Sequence, residues 1–411
     1  MDSIPRTRSP DSTLAFLREG YRFVSRRCSR LGSQAFETRL MLRPVVCTRG
    51  AEAAGMFYVP GRFTRRGALP RHTLRLLQDE GSVATLDGAA HARRKAMFMA
   101  MMEPDALGRL RDIAAWETDR YLERCGGTER VNLHDTLAAL FTQVGLAWCG
   151  LPLETQALVA FRQKELVAMI DGAGAIGPRA LYGHVQRRRT EEWARVIVAR
   201  VRAGELEVGD ETPLAVIAFH HDDDGRQLPI ETAAVELINI LHPTTAVAWY
   251  GVFAALALHE HPAHRDAMED ETFRLAFVDE VRRFYPFFPV VAGRALESFA
   301  WLGRDFVPGD WVMLDLYGTN RDPALWPQPA RFDPGRFLAR EPTPFDLIPQ
   351  GGGHYRDGHR CPGEPATRLL LDVLVQALAR RRYDVPEQDL SIDLGRLPAR
   401  PASGFVVENL R

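Results

Sequence analysis

Apolar residues recur at three- and four-residue spacing over residues 104–125, 132–149, 154–170, 188–203, 231–259, 274–284 and 364–380. That spacing is the stripe a helix turns towards a core. The 231–259 pattern is interrupted by Pro243. Strand-like runs are short and fall in two places: 36–42, 44–47 and 51–58 near the N-terminus, and 290–294, 298–302 and 311–315 after Pro286. Proline and aromatic residues crowd into 322–337, which reads as an ordered irregular loop. No repeat or low-complexity linker divides the chain. The expectation is a single domain over residues 1–411, mainly α with a minor β portion.

Composition adds limits. At 411 residues and 46% hydrophobic, the chain can bury a large core. A net charge of −1 gives nucleic acid no electrostatic handle. The longest apolar run, 246–258, is too short to span a bilayer, and the first twenty residues carry no signal-like stretch. A cytoplasmic protein without a membrane partner is expected. Arg187-Arg188-Arg189 reads as a solvated face. Five cysteines without CxxC spacing argue against a disulfide framework or a metal finger.

Cys361 stands apart through its surroundings, PQGGGHYRDGHRCPGE. Three consecutive glycines, Gly358 and Cys-Pro-Gly require a sharply bent loop in close approach to something. A helical pattern begins at Glu364, so the sulfur sits just before a helix N-terminus, where dipole and free N–H groups favour a thiolate. Arg360 and His359 add positive charge. Such a thiolate suits the axial position of a haem iron. Upstream, Glu280 and Arg283 are three apart on a helical segment and can pair.

Glu280-Val281-Arg282-Arg283, followed about eighty residues later by the cysteine loop, resembles the ExxR element of the cytochrome P-450 superfamily. Arg331-Phe332-Asp333-Pro334-Gly335-Arg336-Phe337 resembles that superfamily's meander. The resemblance implies a cytochrome P-450 fold, haem b (iron protoporphyrin IX) as cofactor and Cys361 as the iron ligand. Glu280, Arg283 and Arg336 then lock the meander. His91 and Lys95 fall on the HxxxR position for the haem propionates, with Arg94 adjacent and the choice between the two cations open. Arg294 and His359 match two further propionate positions.

EVRRFYPFFPVVAGRA, LDLYGTNRDPALW, IPQGGG…GHRCPGE and RYDVPEQDLSIDLGRLPARPASGF resemble the bacterial branch that hydroxylates or decarboxylates fatty acids with hydrogen peroxide. His354 stands where most of the superfamily has Phe. By this resemblance the partners are hydrogen peroxide and a small-molecule substrate, and no redox partner is required. That branch carries Arg-Pro on its central helix, the Arg holding a substrate carboxylate; here the pair is His242-Pro243. Arginine is permanently charged and forked, whereas histidine titrates near neutrality. Two readings stay open: a protonated His242 still pairs with a carboxylate, or His242 itself moves the proton and the substrate need not be a fatty acid. Gln78 and Ala84 replace residues that line the pocket in relatives, which suggests a roomier, more polar pocket. Phe287, Phe288, Val290 and Val291 are expected apolar walls.

The leading expectation is a peroxide-dependent peroxygenase acting on a fatty acid or an atypical metabolite. The alternative is a conventional monooxygenase fed by a ferredoxin-type partner. In that case Thr244 would deliver protons and a basic face of Arg356, Arg360 and Arg368 would receive the donor. A haem-thiolate sensor or isomerase is the third class.

Overall fold

The computed structural model describes residues 4–126, 129–151, 156–222 and 225–411. Its helices follow the apolar stripes. The stripes become Pro104–Cys125, Leu133–Trp148, Gln156–Ala173, Pro178–Arg202, Ile230–Glu260, Glu271–Phe284 and Glu364–Arg380. Positions 154 and 155 of one expected helix lie outside the described residues. The helix expected from 188 starts ten residues earlier, at Pro178, where proline at the first turn follows Gly177 at φ 79°.

One expected strand is a helix. Residues 51–58 form Ala51–Phe57, which buries Ala53, Ala54, Met56 and Phe57. Alanine, glutamate and methionine favour that state, and the 51–58 run has no strict alternation to oppose it. The expected strand at 298–302 becomes Phe299–Trp301, paired apart with Arg304–Phe306, and the other strands from both ends of the chain meet in one sheet. Its order is Ala35–Leu40, Arg43–Thr48, Trp311–Asp315, Val290–Ala295 and Phe63–Thr64. Val46 aligns with Val312 in the parallel pair at its centre. Residues 322–337 are irregular until the short helix Gly335–Ala339.

Ile230–Glu260 is the central helix. Among the described residues it alone is long and apolar enough to cross a membrane, yet its most apolar stretch is 94% buried, so it is a core helix. Pro243 was expected to interrupt it, but the helix runs straight through. Proline removes one hydrogen bond, to the Asn239 carbonyl, and apolar packing over the following turns outweighs that loss. Two glycines set how closely the neighbours approach. A Cβ on Gly251 would meet Leu374 at 2.8 Å and Leu137 at 2.9 Å, and one on Gly145 would meet Thr244 at 3.3 Å. The central helix is thereby clamped against Leu133–Trp148 and Glu364–Arg380, and its His242 turn is fixed relative to the cysteine loop.

Candidate active site

The cysteine loop is held by close approach and by cations. A Cβ on Gly352 would lie 2.6 Å from the Pro344 carbonyl, and one on Gly358 2.5 Å from that of His354. Cys361 N–H donates to the Gln350 carbonyl at 3.2 Å, and the Gln350 amide reaches the Cys361 sulfur at 3.9 Å and Thr367 Oγ1 at 3.0 Å. Glu364 opens the following helix and accepts from both Arg282 and Arg360, the latter at 2.6 Å. The expected low-pKa thiolate is not what this environment makes alone. Burial, then the Glu364 charge, push the Cys361 thiol up, against the opposing pull of the Gly363 N–H, Lys95 and Arg282.

Behind the loop, Glu280 and Arg283 are fully buried. Arg283 donates to both Glu280 oxygens, at 2.7 and 2.8 Å, and to the carbonyls of Asn320 and Pro329. Asp333 N–H (2.8 Å) and Arg336 Nε (3.3 Å) complete Glu280. The helix thus grips the 322–337 segment through charge-assisted bonds, and the three residues expected to meet do so.

Of the expected propionate cations, the structure groups some and disperses others. The rings of His91 and His359 lie 4.0 Å apart, tilted by 37°, and burial holds both imidazoles down. Lys95 donates to the carbonyls of Gly358, at 3.1 Å, and Arg360, so it pins the cysteine loop; burial lowers it to about 8. Arg94 is committed to Glu236 and Asp222, each at 2.8 Å, whereas Lys95 stands at the cysteine loop. Arg294 is engaged elsewhere: it donates to Gly67 and Gly309 carbonyls and covers Trp311. Arg65, which no sequence signal marked, stands close enough to depress His91 and His359 by its charge.

On the opposite side, His242 is 5% exposed and its Nε2 has no partner. Burial, reinforced by the Arg187 charge, lowers it to about 3. Next to it Pro243 is exposed, although every other residue from 236 to 258 except Asn239 is buried. The loop bearing Gln78 and Ala84 is tied here. Asn239 donates to the Gln78 carbonyl at 3.2 Å, and Val83 N–H to Glu236 at 2.9 Å. Phe288 is 39% exposed and lies edge-on to Phe287, which is itself stacked on Tyr250. Val290 and Val291 do not form one wall. Adjacent strand residues face opposite ways, and Val290 packs with the Phe23–Phe36 cluster while Val291 packs with the Phe57–Phe63 cluster.

A thiol at a helix start, glycines too tightly packed for any side chain, a cation-lined pair of imidazoles and an exposed proline on a buried helix fit an iron porphyrin with two carboxylates. The comparisons agree. The cytochrome P450 family profile matches residues 257–390. Cytochrome P450SP alpha (CYP152B1) is 43% identical, with 98% of this chain and 99% of that one covered and a TM-score of 0.95. The chain is a cytochrome P450. Cytochrome P450EX alpha (CYP152N1), solved with myristic acid, is 39% identical with full coverage of both chains and a TM-score of 0.94. A variant of cytochrome P450 OleT, solved with arachidonic acid, is 32% identical over 100% and 99%, with a TM-score of 0.96. P450SP alpha has also been solved with (R)-ibuprophen. This P450 is thus a haem-thiolate oxidoreductase related to the CYP152 peroxygenases.

Within this P450, Thr244 is buried on the central helix. Its hydroxyl donates to the Ile240 carbonyl at 2.8 Å, and its side chain packs on Gly145. Arg187, expected on a solvated face, is 2% exposed, while Arg188 and Arg189 are exposed. The missed signal was phase: Arg187 falls in step with Gly183, Thr190, Ala194 and Val198, the buried stripe of its helix. Gln350 was likewise passed over, although it opens the glycine run.

Proposed function

We propose that this P450 is a hydrogen-peroxide-dependent peroxygenase, using haem b held by Cys361 to hydroxylate or decarboxylate a small organic substrate. For hydroxylation the balance is RH + H2O2 → ROH + H2O. The observation that carries the reading is His242: buried, unpartnered at Nε2, and one residue from the exposed Pro243. When bound, haem supplies the oxidising chemistry, and electron donation from the Cys361 thiolate favours O–O cleavage.

The residues divide the remaining work. Neutral His242 is placed to take a proton at its free Nε2, and burial, which lowers it to about 3, makes it return that proton readily. A protonated His242 pairing with a carboxylate is disfavoured by the same burial. Phe288 supplies an apolar wall, and Ala84 offers the small side chain of a roomier pocket. Lys95 and Arg65 supply the charge, and the neutral imidazoles of His91 and His359 the ring N–H groups, of the edge that suits the porphyrin carboxylates. Thr244, turned towards Gly145, gives no support to a dioxygen-activating alternative. Relatives solved with myristic acid, arachidonic acid and (R)-ibuprophen make organic acids the first substrates to try.

The test mixes ferric holoprotein with hydrogen peroxide and a panel of fatty acids, aromatic acids and neutral aromatics, without reductase or NADPH. Oxidised product by mass spectrometry is expected, and His242→Ala is expected to lower turnover about 100-fold or more while retaining haem. Product formed only with a redox partner and NADPH would refute the peroxygenase reading. Full activity of His242→Ala would refute the proton role.

A further inference from the structure

Arg187 is the only charged residue in the buried stripe of Pro178–Arg202. A guanidinium has five N–H donors, and here Nε alone is used, donating to Glu191 at 2.6 Å. Asp79 Oδ2 stands 3.8 Å from Nη2, an ion pair beyond hydrogen-bond reach. Nη1 and Nη2 have neither a partner nor solvent. Buried donors left unmade are costly, and four N–H bonds are unmade on this one side chain.

A second orphan lies alongside. His242 Nε2 is equally buried and unpartnered. Asn239, one turn before His242 on the central helix, holds the carbonyl of Gln78, and so sets the neighbouring Asp79 and its ion-pair partner Arg187 beside the His242 turn. The Arg187 charge is felt at His242. Glu191 occupies the Nε side, which leaves the Nη1–Nη2 edge free, two N–H bonds in the spacing a carboxylate accepts. Asp79 leaves this edge open, since its Oδ2 stays 3.8 Å from Nη2, outside hydrogen-bond reach, and burial raises its carboxyl against the opposing pulls of the Glu80 N–H and the Arg187 charge.

We propose that Arg187 is the anion anchor of the substrate site, its Nη1 and Nη2 gripping the carboxylate of an organic acid while His242 moves the proton. Recognition then resides on Pro178–Arg202 and proton transfer on the central helix. The inference rests on the peroxygenase reading for the proton step only; binding of the acid stands apart from it.

The experiment titrates ferric holoprotein with decanoate and with 1-decanol, its neutral counterpart, reading the Soret shift and binding heat without peroxide. The parent is expected to prefer decanoate about tenfold or more. Arg187→Gln should weaken decanoate about 10- to 100-fold and leave decanol within about twofold. Arg187→Lys, which keeps charge but not the fork, should retain part of the preference, and His242→Ala should bind decanoate within about threefold of the parent. No preference in the parent, unchanged decanoate binding in Arg187→Gln, or equal loss of acid and alcohol would overturn the anchor. So would a loss confined to His242→Ala. Should Arg187→Gln fail to take up haem, Arg187→Lys decides by the same comparison. Absent peroxide turnover alongside intact, Arg187-dependent binding would sink the proton step and leave the anchor standing.

Discussion

Acidification from about pH 7.5 to about pH 5 protonates any histidine that water can reach, and His242 is built to refuse that proton. Its imidazole titrates at about 3 in the folded chain against an ordinary 6.5. Between those values the unfolded chain binds more protons than the folded one, so stability rises with pH across the window. The contribution is complete above about 6.5 and is lost as pH falls towards 3. At about pH 5 the protonation difference has accumulated over roughly 1.5 pH units, which at about 1.36 kcal/mol per unit gives ~2 kcal/mol. Urea unfolding of the holoprotein and of His242→Gln, followed by tryptophan fluorescence at both pH values, isolates that quantity. Every other titrating group is common to the two proteins. The parent should lose about 2 kcal/mol more than the variant on acidification. Equal losses would mean that His242 already carries a proton when folded or meets solvent, and the neutral-imidazole argument would fall. The same reasoning expects no limb from His242 in the peroxide kcat/KM profile between about pH 5 and pH 8.

Arg283→Met strips the partner from a fully buried Glu280 and should cost about 3–5 kcal/mol, seen as a lower urea midpoint and reduced haem content. An unchanged midpoint would show that the 322–337 segment is held by other contacts. Cys361→Ala should abolish the thiolate-type absorption of the ferrous carbonyl complex, and its persistence would remove Cys361 as ligand. Lys95→Met loses the bonds to the Gly358 and Arg360 carbonyls and should cost about 1.5–3 kcal/mol of loop anchorage, read as faster transfer of haem to apomyoglobin. Transfer at the parental rate would leave Lys95 without a role in the loop.

The proximal half of the site was legible because its chemistry is local in sequence. Glu280 and Arg283 are one helical turn apart, and the glycines of the cysteine loop lie within twelve residues of Cys361, so spacing alone brings each set together. The distal half depends on contacts that spacing does not encode. Arg187 meets Asp79 across 108 positions of chain, and its neighbours Arg188 and Arg189 are exposed, so a run of three arginines hid one buried member. Arg294 and Arg94 matched expected positions by residue type, but each found nearer acceptors, the Gly67 and Gly309 carbonyls for one and Glu236 with Asp222 for the other. Residue type at a matching position gives the reach of a side chain; the folded surroundings decide what it reaches.

Histidine at 242 and buried arginine at 187 are best understood as one arrangement. Where the resembling branch carries arginine on the central helix, this chain has an imidazole, and a permanent cation enters from Pro178–Arg202 instead. Two cations in a space closed to water repel strongly, so the one that can shed its proton does, and Arg187 thereby helps to hold His242 neutral. A neutral His242 cannot grip a carboxylate as a salt bridge does, but it can accept and return a proton. The charge it lacks is supplied, already desolvated, by the residue that reinforces what burial does to it. Removing Arg187 should therefore act on both functions at once, weakening acid binding and raising the pH at which His242 titrates, whereas removing His242 should touch only the proton.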